Sequence, residues 1–280
     1  MTACVETIRF QGQPCLRLSL PQGDSALISL QGAQVLSWVS AGRERLYLSP
    51  LSRWDGQTAI RGGIPVCFPQ FNRRGTLPKH GFVRNLLWVP QTPDWSSNGI
   101  CQSLVLASSE ATRQWWPQAF ESTITVSLLA GVLQVKLDVR NTGDTALTFT
   151  GALHTYLAVN DIAQAQLQGL GGQREWDAVA DVYGHADAIL RFAGEFDRVY
   201  TSSPQVLSLQ DGNGQLHISQ SASLAQSVVW NPGPFQCTTL PDMPADGYRH
   251  MLCVEAAQVD VPVEVLAGCT WQGWQRFSVA

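Results

Sequence analysis

Charge is scarce in this 280-residue chain: Asp, Glu, Lys and Arg make up 14% of it, against roughly 25% in an average soluble domain. Basic clustering is scarcer still. The eighteen Lys and Arg are scattered, the longest basic runs are pairs such as Arg73-Arg74, and the net charge is −4. Nucleic acid needs a clustered basic face and is excluded as a general partner. A small anion is not, because two or three converging arginines can bind one whatever the net charge. No run of 18 apolar residues occurs, so no membrane span is expected. The start, MTACVETIRF, lacks a basic stretch followed by an apolar run and predicts no signal peptide. The seven cysteines include no Cys-x-x-Cys pair, and several sit in apolar runs such as Val66-Cys67-Phe68 and Leu252-Cys253-Val254. They read as small hydrophobes rather than a disulfide framework or a zinc site, which points to a reducing compartment, the cytoplasm.

Linkers, fixed-period repeats and sustained helical periodicity are also missing. The best helical candidates are short, around Arg53 and at Gln114–Phe120, and Pro117 breaks the second. Strand signals fill the rest. Leu133, Val135, Leu137 and Val139 alternate with Gln134, Lys136, Asp138 and Arg140. A turn at 141–145 follows, with Gly143 available for positive φ. Hairpins are predicted where Leu16–Leu20 and Ala26–Leu30 flank Pro21–Asp24, and where Val206–Gln210 and Gln215–Ser219 flank Asp211-Gly-Asn-Gly214. Short strands with turn signals every 8–12 residues or so predict an all-β sandwich or barrel. Hydrophobic residues, at 45%, suffice for its core, and residues 1–280 read as one domain.

Four segments carry chemistry. In Ile60–Phe71, Arg61 precedes two glycines and a proline-stiffened stretch; it suits bidentate phosphate recognition, though the segment alone favours an arginine capping a turn. In Leu77–Asn85, Lys79, His80 and Arg84 surround a flexible Gly81, an arrangement that ordinary surface loops also show. In Leu147–Val159, alternation puts Leu147, Phe149, Leu153, Leu157 and Val159 on one face. Thr148, Thr150, Ala152, His154 and Tyr156 fall on the other. His154 there suits either a general acid in a sugar cleft or a structural histidine. In Met251–Ala257, Glu255 is the only charge in an apolar run. Burial raises a carboxylate pKa into the range useful for proton transfer; the alternative is a glutamate at an exposed strand end.

Taken in order, these segments resemble the glucose-6-phosphate 1-epimerase (hexose-6-phosphate mutarotase) family of the galactose-mutarotase-like group. The likeness runs from Gln31–Trp38 and Leu46–Ser49 through Ile60–Phe71, His80–Arg84 and Leu153–Tyr156. It continues through Phe196–Tyr200, Val229–Pro232 and Cys253–Glu255 to Trp271–Trp274. The resemblance implies a large antiparallel β-sandwich, the supersandwich, and an isomerase that interconverts the anomers of an aldohexose 6-phosphate. It implies His154 as general acid, Glu255 as general base and Asp197 as a ligand of sugar hydroxyls. Arg61 and Arg84 are implied as substrate-binding groups, with phosphate the natural target, and Lys79 and His80 are expected to bind substrate beside them. The position before His80 is often glutamine in the family and is Lys79 here. No metal and no cofactor are expected, and the implied enzyme is a cytoplasmic monomer whose partner is a small sugar phosphate. Two rivals stand beside this reading: a mutarotase for free aldoses, and a carbohydrate-binding protein without catalysis. His185, His217, His250 and the pair Trp115-Trp116 are read as structural or exposed.

Overall fold

A computed structural model describes residues 2–96, 99–201, 206–212 and 214–280. The named strands pair antiparallel throughout and form three sheets. The strands Cys4–Phe10, Gln13–Ser19, Ser25–Ser29, Val35–Ser40 and Arg43–Glu44 follow one another in a five-stranded meander. A ten-stranded sheet has Gln215–Gln220, Thr270–Val279, Val132–Asn141, Phe120–Leu129 and Gly99–Ala107 at its centre. An eight-stranded sheet carries Arg174–Asp177, Phe196–Thr201, Gln226–Asn231, Met251–Val265 and Leu147–Leu153 side by side.

Alternation drives the packing. In Phe120–Leu129 and Val132–Asn141 every second residue is buried. Their apolar faces meet Leu153, Val229, Leu252, Val254 and Ala256 of the eight-stranded sheet in one core that draws on residues from Leu16 to Phe277. The layers are tied by polar atoms as well. Thr155 Oγ1 donates to Gln275 Oε1 at 2.6 Å, and Gln275 Nε2 donates to the Val254 carbonyl at 2.9 Å. At roughly 25 cal/mol per Å² of apolar surface, the core supplies the driving force, and the bridge satisfies groups that would otherwise be buried alone.

Local expectations meet mixed outcomes. The hairpin over Pro21–Asp24 forms between Gln13–Ser19 and Ser25–Ser29. Leu207–Gln210 pairs with Gln215–Gln220, while Asn213 in that turn lies outside the described residues. Gly143 takes no left-handed conformation. Instead Asn141 shapes the turn, its Oδ1 accepting from the Gly143 N–H and its Nδ2 donating to Thr145 and Val265 carbonyls. The helix expected at Gln114–Phe120 sits earlier, at Glu110–Trp115, because Ser109 and Thr112 form a reciprocal capping box there. No helix forms around Arg53.

Candidate active site

The strand Met251–Val265 is buried on both faces over its first half. Even-numbered residues enter the core, while Met251, Cys253, Glu255 and Ala257 point to the other side of the sheet. Cross-strand register builds a floor there. Glu255 lies opposite Val228, which lies opposite Val199, which lies opposite Trp176. In the neighbouring row Tyr156, Cys253, Trp230 and Asp197 are opposite one another in turn. Two apolar clusters, one around Val199, Val228 and Ala257 and one around Tyr156, Met251 and Cys253, flank the polar groups.

His154 stands in the gap between the strands Leu147–Leu153 and Tyr156–Ala158. Its N–H donates to the Pro65 carbonyl at 2.9 Å, and its ring stacks on Tyr156 with centroids 4.9 Å apart. Nε2 is 3.3 Å from Glu255 Oε1. Both residues are buried, and both are driven toward neutrality. Burial first, and then Asp197, push the Glu255 carboxyl well above its ordinary range, with Lys79 opposing. Burial and then Arg84 and Arg61 push His154 down to about 3. Both shifts favour the neutral form of each partner. His154 Nδ1 and Glu255 Oε2 are buried without a protein partner.

The segment bearing Arg61 is stitched in place by its backbone. Its carbonyl accepts from Ser49 N and Ser52 Oγ, both at 3.0 Å. Gly63 has φ +59 and its N–H donates to the Tyr47 carbonyl at 2.7 Å; a Cβ there would meet the Val35 carbonyl oxygen at 2.0 Å, so only glycine fits. The Arg61 guanidinium donates to Tyr156 Oη at 3.1 Å and to Asp242 Oδ1 at 2.9 Å. Burial alone would weaken its charge, but Tyr156 and Asp242 reverse that effect and hold it charged.

The loop 70–85 is organised by buried Gln70, which donates to the Asn72 and Leu77 carbonyls and accepts from the Leu77 N–H. His80, at φ +66, receives the Asn72 N–H on Nδ1 at 3.2 Å. Burial, followed by His154 and Arg84, keeps this imidazole neutral far below its usual range. With Nδ1 accepting, the ring proton belongs on Nε2, a donor. Arg84 donates to the Lys79 carbonyl at 2.7 Å. Loss of solvent, then Arg61, Arg84 and Arg73, lower the Lys79 pKa. Asp197 is pushed up to about 6, by burial first and then by Glu195, against the pull of Lys79.

The structure thus brings Arg61, Lys79, His80, Arg84, His154, Asp197 and Glu255 to the wall of one cavity of about 350 Å³. It adds residues that sequence reasoning did not single out. Tyr156 shares the face of His154 two residues on, a legible signal. Asp242 arrives on a long connection after the strand Gln226–Asn231, and nothing in its local sequence marks it. Trp176 and Trp230 also line the cavity. Among the described residues, one set of ligand atoms, from His154, Cys253 and Glu255, is close enough to hold a metal ion.

Comparison with known proteins agrees with this architecture. The family model described as aldose 1-epimerase matches residues 14–278. A protein of Cenchrus ciliaris named "Putative glucose-6-phosphate 1-epimerase" is 34% identical over 261 residues, covering 89% of this chain and 79% of that one. One of the same name from Escherichia coli is 37% identical over 238 residues, covering 83% and 79%. A mutarotase structure from Salmonella typhimurium, itself named as putative, superposes with a TM-score of 0.91 at 31% identity, covering 99% of this chain and 93% of that one. The galactose 1-epimerase of Lactobacillus acidophilus, at 13% identity and TM-score 0.73, shares the fold. The chain belongs to the aldose 1-epimerase family and is an isomerase on an antiparallel mutarotase sandwich.

Proposed function

We propose that the enzyme interconverts the α and β anomers of an aldohexose 6-phosphate, with glucose 6-phosphate the first candidate. The observation that carries this reading is one cavity holding both a buried His154–Glu255 pair and the cations Arg61, Lys79 and Arg84. The names of the relatives point to the same substrate.

Opening a hemiacetal removes the O1 proton and delivers one to the ring oxygen. In the proposed mechanism Glu255 takes the first as carboxylate and His154 supplies the second as imidazolium. Burial favours the neutral pair, so substrate must redistribute its proton. An O1–H donated to Glu255 stabilises the carboxylate, and a ring oxygen accepting from His154 stabilises the imidazolium. Ring opening then returns the pair to its neutral form. The desolvation that disfavours the buried ion pair therefore favours the open-chain complex. The aldehyde turns about C1–C2 and recloses on its other face with the transfers reversed. Asp197 would hold sugar hydroxyls, neutral His80 would donate from Nε2, and the cations would clasp the phosphate.

The reading includes a single functional unit over residues 1–280, supported by the shared core, working as a cytoplasmic monomer. No helix is long and apolar enough to cross a membrane among the described residues. The rival substrate class, free aldoses, draws support from the prior engagement of Arg61 by Asp242. Magnetisation-exchange NMR on equilibrated glucose 6-phosphate, and separately on glucose, decides between them. Enhanced exchange for the ester alone is expected. Equal enhancement for both would demote the cations, and none for either would overturn the catalytic reading.

A further inference from the structure

The strand face that carries Glu255 also carries Cys253, fully buried and two residues earlier. No step of the proposed reaction uses this thiol. Its apolar neighbours include Met251, Tyr156 and Cys237. It also adjoins polar groups with unmatched valences, since His154 Nδ1 and Glu255 Oε2 are buried without a protein partner. One ligand atom from each of His154, Cys253 and Glu255 lies within 4.8 Å of the other two.

We propose that His154, Cys253 and Glu255 form a binding site for a thiophilic divalent cation, zinc or cadmium, whose occupancy closes the acid–base pair to substrate. One nitrogen, one sulfur and one oxygen with a fourth position left over is the donor set of an open tetrahedral site. Sulfur selects zinc or cadmium over magnesium or calcium. The 3.3 Å between Nε2 and Oε1 suits two ligands on one ion, because bonds of about 2.0–2.3 Å place tetrahedral neighbours roughly 3.3–3.8 Å apart. All three ligand atoms lie within 4.8 Å of one another, a spread that closes with side-chain shifts of about 1 Å.

Charge balance permits the site despite its cationic surroundings. Neutral imidazole binds as it stands. The thiol releases its proton on binding, and a dication held by a thiolate and a carboxylate has its two charges matched by its own ligands. Metal and sugar compete for the same two catalytic groups and exclude each other. Only this inhibitory consequence rests on the proposed function; metal binding itself does not.

The test titrates metal-free protein with cadmium and follows the ultraviolet sulfur-to-cadmium charge-transfer band, while zinc is titrated into the anomer-exchange assay. Wild type and Cys269→Ser, which removes the exposed thiol, are expected to show a one-equivalent band and zinc inhibition relieved by sugar phosphate. Cys253→Ala is expected to keep its exchange rate, lose the band and need about tenfold or more zinc for the same inhibition. Cys253→Ser serves as a second variant should the alanine pack poorly, with thermal melts checking the fold of both. An undiminished band, or unchanged zinc sensitivity, in the folded Cys253 variants overturns the site. A band lost with Cys253 in a protein that exchanges no sugar would leave the metal site standing and remove the proposed function instead.

Discussion

Burial drives Glu255 and His154 toward their neutral forms, so the pair is expected to hold one proton in the folded protein, and that count has a consequence for stability as well as for rate. Between the ordinary pKa values of Glu and His, the unfolded chain also binds one proton at these two positions, so the wild-type pair adds no pH slope there. Above the ordinary histidine pKa the unfolded chain binds none while the folded pair keeps its proton, and the pair's contribution falls as pH rises. Glu255→Gln deletes the folded-state proton. His154, lowered to about 3, then stays neutral when folded but charges when unfolded, so the variant loses stability as pH falls below the ordinary histidine value. Relative to wild type, the variant should therefore gain about 1.4 kcal/mol per pH unit as pH rises from 5 to about 7. Chemical denaturation across that range measures it, and parallel curves would mean that Glu255 is ionised in the folded state. The same variant should lose roughly 10²–10⁴-fold in anomer exchange while remaining folded; near-wild-type exchange would remove Glu255 from the mechanism. Glu255 was legible in the sequence because a single carboxylate in an apolar run is costly unless it has work. Asp242 was not, because its meaning depends on Arg61, a residue far away in the chain that the fold brings to 2.9 Å.

Two irregular segments, not strands, deliver the proposed phosphate-binding groups: Arg61 beside Gly62 and Gly63, and the loop ending in the short helical turn Val83–Asn85. Gly81 is the pivot of the second. It has φ +72, its N–H donates to the Pro78 carbonyl, and a Cβ on it would sit 2.0 Å from the Phe68 carbonyl oxygen. Gly81→Ala must move backbone against backbone, at a cost of about 1–3 kcal/mol for the strained conformation. Lys79, His80 and Arg84 move with it, whereas Glu255 and His154 are held by the sheet. The expected result is a lowered melting temperature with KM for the sugar phosphate raised several-fold and kcat changed less. A kcat loss with KM intact would mean that this loop serves chemistry rather than binding. Strands and hairpins were readable because alternation and turn residues are local signals. The positive φ at Gly143 was misjudged because an Asn141 side chain can make the same turn without it. The helix was displaced to Glu110–Trp115 because its start is set by the Ser109 cap rather than by the apolar residues that follow.

For the whole molecule, net charge does not reveal where charge is gathered. The chain carries −4, yet the three cations proposed to clasp the phosphate, Arg61, Lys79 and Arg84, line the cavity with Arg74 and beside the carboxylates Glu195, Asp197, Asp242 and Glu255, of which Glu255 is driven toward neutrality and Asp197 is raised to about 6. Composition averages over this arrangement and could not reveal the cationic cluster, which the fold assembles from segments far apart in the chain. The cluster opens to solvent at Lys79, so salt screens it, with a Debye length of about 8 Å at physiological ionic strength and about 3 Å at 1 M. A phosphate dianion drawn in by these charges should bind more weakly as salt rises, while proton transfer inside the buried pair is little screened. Raising potassium chloride from about 0.02 to about 0.5 M should therefore increase KM for glucose 6-phosphate several-fold and leave kcat nearly constant. Lys79→Gln should raise KM at low salt and flatten its salt dependence, because it removes the most solvent-screened charge of the three. Saturation kinetics by exchange NMR at the two salt concentrations supply both values. A salt-independent KM would mean that the phosphate lies outside the field of these residues, and the cations would then be left with the structural role that Asp242 already gives to Arg61.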